Sequence, residues 1–389
     1  MASPASPALE LPAFKGRPGW EFTDISGLEL AKYEPVTAPE PAGEPDADAL
    51  FGIERPESLP DGVIVTSIGD AARDHAELLR RHLGTVVTAD DIFTTLNDVA
   101  GYRDGSFVYV PRGVTLERPI SLATVQARSG TLLNQRTLIV LEEGAQAEVW
   151  EQYLSGSDEV DGLLNVVTEL VVGDNAHLRY ICGQALSERS WVFGAQRAEL
   201  GRDASLDWVA LGFGSARGRV RMETRLGGEG ADARVTGAYA THARQHIDFD
   251  TTQEHAAPNT TSDLAFRGVL QGRSSAVWKG NIIVDPGAQK TDAFQESRNL
   301  LISKRAHADA IPGLEIQAND VRCTHAAAVA QVDPEQLFYL RSHGLDEEVA
   351  KRLVIEGFLS ALVERFEQGP VREQLAATLE RRLATILAG

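Results

Sequence analysis

The chain has few cysteines and few basic residues for its length, and both shortages exclude classes of protein. Two cysteines in 389 residues make no disulfide framework, which fits a reducing compartment. The 37 Lys and Arg residues are outnumbered by 56 Asp and Glu residues, and the resulting formal charge of -19 repels nucleic acid and anionic lipid. We therefore expect a cytoplasmic protein that binds neither nucleic acid nor membrane.

Long apolar runs and nucleotide-binding loops are also missing. No stretch approaches the ~20 continuous apolar residues that a membrane span needs, and the N-terminus lacks a basic region followed by an apolar run. Glycine-rich segments such as "LGFGSARG" do not follow a strand and open a helix with phosphate-binding spacing. We therefore expect any ATP chemistry to come from a partner.

Composition and residue periodicity divide the chain into three regions. Residues 1–105 combine Pro-rich linker with short helical patterns and predict an N-terminal helical and linker region. Residues 106–332 alternate apolar and polar positions between Gly, Asp and Asn turns and predict a long β region. Residues 333–389 return to helical periodicity and predict a C-terminal helical domain.

A repeat of apolar residue, polar turn, small residue and alternating strand recurs in the β region. The units begin at Leu141, Val172, Leu200, Leu226, Leu270 and Ile302. A β-solenoid requires this pattern, because each coil buries its apolar face only by stacking on its neighbours. A β-sandwich is the alternative, but no Asn-Gly hairpin dipeptide occurs, and we favour the solenoid.

The helical domain opens with a complete set of helix signals. Asp333 is a predicted N-cap, Pro334 follows at the first helical position, and Gly344 is a predicted stop. The next helix carries an apolar stripe that includes Val349, Leu353 and Phe358. Periodicity alone leaves open whether these stripes pack on the β region or face a partner.

One cysteine and one histidine near the C-terminal helices are candidate site residues. Cys323 and His325 lie two residues apart on the last predicted strand, so both point to one face. They could address one ion or cluster, or they could be core residues. A Cys/His nucleophile is disfavoured, because it needs direct contact and a third orienting group. Cys182 ends an inward-facing strand and is interpreted as core.

The segment "ATHARQHIDFDTTQEHAAPNT" gathers acidic residues and histidines. His246, His255 and Asp248 are weak metal-ligand candidates, and His242 would join the two histidines in a metal-binding regulatory module. Asp248 with Asp250 and Glu254 would instead suit a polysaccharide hydrolase or lyase built on a β-helix. The remaining interpretation is a polar outer face of a solenoid strand.

Several longer strings resemble the SufB/SufD family of iron–sulfur cluster assembly scaffold proteins. They are "HIDFDTTQEHAAPNTTS", "KGNIIVDPGAQKTDAFQESRNLLIS", "PGLEIQANDVRCTH" and "FYLRSHGL". The short chain, the lack of an N-terminal cysteine cluster and the Cys-x-His order are most similar to SufD. The resemblance implies a mainly β fold, with a right-handed parallel β-helix core flanked by N-terminal and C-terminal helical segments.

The resemblance also implies a scaffold without a catalytic cycle of its own. Such a subunit would pair with a SufB-like paralogue through the β-helix and dock a SufC-like ABC ATPase through its C-terminal helices. A homodimer is possible when the subunit is alone. No cofactor would be stably bound, and a transient iron–sulfur cluster would form at the SufB interface.

The resemblance finally assigns roles to individual residues. His325 would face the paralogue interface, with Cys323 as its weaker neighbour. ATPase docking would involve Asp333, Leu337, Phe338, Leu340, Val349, Leu353 and Phe358. The sequence departs from the family pattern at Ala326, Ala328 and Ala330, which stand where small residues or glycine are usual, and at His343, which stands where arginine is usual.

Overall fold

A computed structural model describes residues 11, 19–36, 49–51, 58–99 and 105–388. The strands are β1 (Glu34–Pro35), β2 (Ile64–Ser67), β3 (Gly105–Val110), β4 (Ile120–Gln126), β5 (Thr131–Leu141), β6 (Gln146–Ser155), β7 (Leu163–Val172), β8 (His177–Ala185), β9 (Trp191–Leu200), β10 (Ser205–Gly212), β11 (Arg217–Leu226), β12 (Asp232–Thr241), β13 (His246–His255), β14 (Thr261–Leu270), β15 (Ser275–Val284), β16 (Asp292–Leu301), β17 (His307–Ile316) and β18 (Arg322–Gln331). The helices are a 3-10 turn (Leu30–Lys32), α1 (Ile68–Asp74), α2 (Ala76–His82), α3 (Ile92–Val99), α4 (Pro334–Ser342), α5 (Glu347–Val363) and α6 (Pro370–Ala388).

Successive strands alternate between two stacked sheets. The odd-numbered strands from β3 to β17 lie side by side in a 10-stranded sheet that β2 and β1 also join, and the even-numbered strands from β4 to β18 form an 8-stranded sheet. Each strand of the coil pairs in parallel with the strand two places before it, as β11 does with β9. The result is a flattened parallel β-solenoid of about eight turns, which confirms the predicted fold class.

Tight corners connect the two sheets, and the corner after each odd-numbered strand from β3 to β15 contains a residue in the left-handed conformation. These residues have φ between 52° and 74° and are Gly113, Gly144, Asn175, Asp203, Gly230, Asn259 and Lys290. Glycine, asparagine and aspartate take this conformation more readily than other residues. The polar turns of the sequence repeat are therefore the corners of the coil.

The predicted repeat mixes two kinds of corner. Its first four units begin where odd-numbered strands end, but Leu270 ends β14 and Ile302 directly follows β16, so these two units mark the opposite corner. The repeat also omits the corner after His255, because that strand ends on a histidine instead of an aliphatic residue. Both corners use the same apolar, turn and small residue order, which makes them indistinguishable by pattern.

Helical and irregular segments cover the outer faces of both sheets. Helices α1 and α2 pack on the first coils of the odd-numbered sheet, and α3 packs further along with Trp20 and Ile25. Leu50 and Phe51 lie on the even-numbered sheet beneath α6. Helices α5 and α6 pack against β12 and β14, and α4 packs on α5. Within the described ranges every helix is too short or too polar to span a bilayer.

Candidate interface at the open end of the solenoid

The coil ends without a cap at β17 and β18. Among the described residues, no strand pairs with the outer edge of either one. Ile316 and Val329 are consequently exposed, although residues of this kind are buried in the preceding coils. This end therefore presents two strand edges together with part of an unfinished hydrophobic core.

Cys323 and His325 lie on the inner face of the last coil. Cys323 stands opposite Ala293 and His325 stands opposite Gln295, and both partners on β16 are fully buried between the sheets. Cys323 is half-buried against Ala293 and Val321, whereas His325 is exposed at the open end. The two side chains share one face and one end of the molecule.

The chemistry of this pair is that of a soft ligand set. Burial, with a smaller contribution from Asp292, raises the pKa of the Cys323 thiol, so the thiol is protonated at neutral pH. A bound soft metal would displace that proton, since the thiolate is the form that ligates. No group of three or more potential metal ligands occurs in the part of the chain that the structure describes. Cys182, by contrast, is buried in the main core as predicted, and burial raises its pKa to about 12.

The alanines that depart from the family pattern face outward on the same strand. Ala326 stands opposite Glu296 and Ala328 opposite Arg298, beside an ion pair in which Arg298 Nε lies 3.1 Å from a Glu296 carboxylate oxygen. None of the three alanines has a positive φ, so the strand does not need glycine there. His343 ends α4, where its Nδ1 lies 2.8 Å from the Tyr339 carbonyl oxygen.

An exposed apolar surface follows directly on α4 and the first half of α5. Asp333 caps α4 by accepting a hydrogen bond from the Glu335 N–H at 2.9 Å. Phe338 is 73% exposed, and Val349 and Leu353 are also exposed, whereas Leu337 and Leu340 are half-buried.

Two aromatic residues differ in exposure from what the predicted docking set implies. Phe358 lies toward the solenoid, with the Arg267 guanidinium 5.6 Å from its ring centroid, and so belongs to the contact between α5 and the body. Tyr339 is 62% exposed beside Phe338, and sequence reasoning missed it. Its position directly after Phe338 in the sequence was the available signal.

The histidines that are weak metal-ligand candidates on β13 contact other residues of the protein. His246 begins the strand and His255 ends it, so they are far apart. The ring nitrogens of His255 lie 2.7 Å from the Thr260 hydroxyl and 2.8 Å from the Ser262 hydroxyl. Burial lowers the pKa of both histidines to about 4. His242 lies at the preceding corner, 2.8 Å from Glu188. The structure does not bring the three histidines together.

The carboxylates of the same segment form ion pairs beneath the N-terminal region. Asp248 is buried, accepts a hydrogen bond from the Thr23 hydroxyl at 2.5 Å and lies 3.6 Å from Arg219, while burial raises its pKa to about 6. Arg219 also contacts Asp250 at 2.8 Å and stacks over Trp20. This covering leaves no access for a polysaccharide at Asp248, which removes the geometric basis of a hydrolase or lyase site.

Comparisons with known proteins match most of the chain. A family model described as the SufBD core domain of the SUF system for FeS cluster assembly matches residues 123–358, and one for the SufBD protein N-terminal region matches residues 48–122. The iron-sulfur cluster assembly protein SufD of Bacillus subtilis is 34% identical over 83% of this chain and 74% of its own length. A SufBD family protein of Mycobacterium tuberculosis is 30% identical over 73% of this chain and 72% of its own. The matches together span the solenoid, its open end and most of α5.

Proposed function

The chain belongs to the SufBD family of iron–sulfur cluster assembly proteins, and from this premise we propose that it is the SufD-like scaffold subunit of a cytoplasmic assembly complex. In this proposal it has no catalytic cycle of its own. It pairs with a SufB-like paralogue and docks a SufC-like ABC ATPase. The iron–sulfur cluster is cargo that forms transiently at the paralogue interface.

The uncapped end of the solenoid is the observation that best supports pairing with a SufB-like paralogue. Two strand edges and the exposed apolar residues Ile316 and Val329 lie together there. Edges of this kind template pairing with another chain unless something covers them. A second solenoid that presented its own open end would satisfy the edge hydrogen bonds and bury those residues.

The position of the soft ligands supports a cluster at that interface. Cys323 and His325 face the inner side of the last coil, where a partner would close over them. A thiolate and an imidazole are ligands that suit iron in a sulfur-rich site. Two ligands do not complete such a site, so the paralogue would supply the others.

The exposed surface of α4 and α5 supports ATPase docking. Phe338, Tyr339, Val349 and Leu353 are large apolar residues that solvent reaches, and aromatic residues dominate many protein interfaces. Helix α4, which carries the first part of this surface, begins three residues after β18 ends. Docking there would place the ATPase next to the strand that carries His325.

Co-expression with the SufB-like and SufC-like proteins of the same organism, followed by size exclusion, tests the proposal. We expect all three chains to co-elute. Phe338→Ala should weaken retention of the ATPase alone, whereas Gln336→Ala on the same helix should not. Persistent failure of the wild-type chains to co-elute would reject the complex.

The role of His325 has a separate readout. His325→Ala should leave the complex intact and lower the activity of iron–sulfur enzymes in cells that depend on this system. Thr324→Ala changes the neighbouring residue on the opposite face and should behave as wild type. Full activity of the His325 variant would remove this histidine from the mechanism.

A further inference from the structure

A buried glutamine, Gln295, is the neighbour of His325 on the inner side of the open end. The two residues are register partners on β16 and β18, and both lie on the inner face of the coil. Partners on adjacent strands are about 4.8 Å apart, so their side chains run next to each other. Gln295 is fully buried, whereas His325 is exposed. The exposed imidazole therefore has a buried amide group beside it.

Two backbone carbonyls of the opposite sheet fix the orientation of that amide. The Nε2 group of Gln295 donates to the Gly280 carbonyl at 3.2 Å and to the Gly313 carbonyl at 3.0 Å. The reverse orientation would set the amide oxygen against both carbonyl oxygens, because an amide oxygen has no hydrogen to donate. Close packing also limits its movement, since a Cβ added to Gly280 would lie 2.6 Å from the Oε1 atom. The amide group is thus held in one orientation.

The Oε1 atom of Gln295 is a buried acceptor that no donor within the described ranges uses. Leaving such an atom unpaired is unfavourable, and each case in a native protein calls for an explanation. A histidine that binds metal almost always donates its second ring N–H to an oxygen or water beside it, and this bond orients the ring. Gln295 offers an unused oxygen on the strand next to the one that carries His325.

We propose that Gln295 is a positioning residue, which accepts a hydrogen bond from one ring nitrogen of His325 and thereby directs the other nitrogen toward the cluster. The inference rests on the proposed function, in which the cluster forms at this end. Rotation of the exposed imidazole toward β16 makes the bond. The nitrogen that donates keeps its hydrogen, so the other nitrogen presents its lone pair to the cluster.

Two variants of the full-length chain test the inference, Gln295→Met and Gln295→Glu. Each is assembled anaerobically with the SufB-like and SufC-like proteins of the same organism, and the rate at which the complex gains iron and sulfide is measured. Methionine fills the space without an oxygen, and we expect this rate to fall about tenfold. Glutamate keeps an oxygen beside the imidazole, and we expect a rate close to that of the wild type.

The unfolding temperature separates this role from a structural one. Methionine has no donor for the two carbonyls and glutamate has at most one, so both variants should unfold at a lower temperature than the wild type. The positioning role predicts that the rate of cluster formation follows the presence of the oxygen. Rates that instead follow the unfolding temperature would overturn it, and so would a wild-type rate in Gln295→Met.

Two other buried residues of the inner face serve as controls. Ser297→Ala changes the next inner position of β16, opposite Ala327, and Gln253→Met removes another unpartnered amide oxygen on β13, two coils before the open end. Both variants should form clusters at the wild-type rate. A tenfold loss in either control would show that the rate responds to any change in the interior, and the role of Gln295 would be rejected.

His325→Ala distinguishes failure of this inference from failure of the proposed function. If this variant forms clusters slowly while Gln295→Met forms them at the wild-type rate, the role of Gln295 alone is lost. A wild-type rate in His325→Ala would remove the histidine from the proposed function, and the role of Gln295 would be lost with it.

Discussion

Protonation of His255 should destabilise the solenoid as the pH falls from 6.5 toward 4. The side chain is fully buried at the end of β13, and hydroxyl groups of Thr260 and Ser262 contact its two ring nitrogens. Burial lowers its pKa from 6.5 to about 4, and no charged side chain contributes to that shift. The folded protein therefore holds a neutral imidazole over a range in which the unfolded chain binds a proton.

The sign and size of the effect follow from proton linkage. Between pH 6.5 and 4 the unfolded state binds more protons at this histidine than the folded state does. The contribution of His255 to the free energy of unfolding is therefore fully present above pH 6.5 and decreases below it. Each pH unit below 6.5 costs about 1.4 kcal/mol, which gives about 1.4 kcal/mol between pH 7.5 and 5.5. His246 acts in the same direction, because burial also lowers its pKa to about 4. Asp248 acts in the opposite direction, because burial raises its pKa to about 6 and the folded state takes up that proton first.

Comparison with a variant isolates His255 from the other groups. Urea unfolding of the wild type and of His255→Gln at pH 7.5 and pH 5.5 should show a smaller pH-dependent loss in the variant, by about 1.4 kcal/mol. His307 is 70% exposed, so His307→Gln should follow the wild type. An unchanged pH dependence in His255→Gln would refute this account of the buried imidazole. Stoichiometric zinc that is lost in the same variant would revive the metal-binding interpretation.

Two further predictions concern the attachment of the N-terminal region. Glu169→Gln should lower the free energy of unfolding by about 3 kcal/mol, because it removes the buried carboxylate that lies 2.6 Å from the buried Arg136 guanidinium. Glu143→Gln, in an exposed ion pair, should change the free energy of unfolding little. Leu50→Ala should lower the free energy of unfolding by about 2–5 kcal/mol and make α6 more sensitive to limited proteolysis, because Leu50 is fully buried beneath that helix. Leu59→Ala, at an exposed site, is its control. Chemical unfolding measures the change in stability for both variants and their controls. Timed digestion with mass spectrometry measures the exposure of α6 in the Leu50 variant. Equal effects in a variant and its control would contradict the corresponding prediction.

The solenoid could be predicted from the sequence because its causes are local. Alternation along each strand fixes which face is buried, and the left-handed residues at positions such as Asn175 and Asp203 mark the corners within a few residues of the strands. The helix signals at Asp333 and Pro334 are equally local, and α4 begins where they predict. The sequence could not distinguish the two corners of each coil, because both have the same order of apolar residue, turn and small residue.

Long-range burial accounts for most of what the sequence could not predict. Thr23 and Asp248 are 225 positions apart, yet they share a hydrogen bond that turns an apparent metal-ligand cluster into a buried structural contact. The apolar stripe of α5 shows the same limit, because Phe358 packs toward the body while Leu353 faces solvent. Helical period identifies apolar residues but not which neighbour will cover them.

The open end and the helical surface are mechanically connected through β18. Val332 and Asp333 alone separate the strand from α4, and both are held, the first by the Leu301 carbonyl and the second as the cap of the helix. An edge strand has backbone bonds on one side only, so its displacement breaks one ladder where an inner strand would break two. A force applied to α4 by a docked ATPase would therefore move β18 more readily than it would move an inner strand of the same sheet, and His325 lies within β18. This coupling gives a physical reason why the proposed ATPase-docking surface and the proposed cluster-assembly interface would lie at the same end of the molecule.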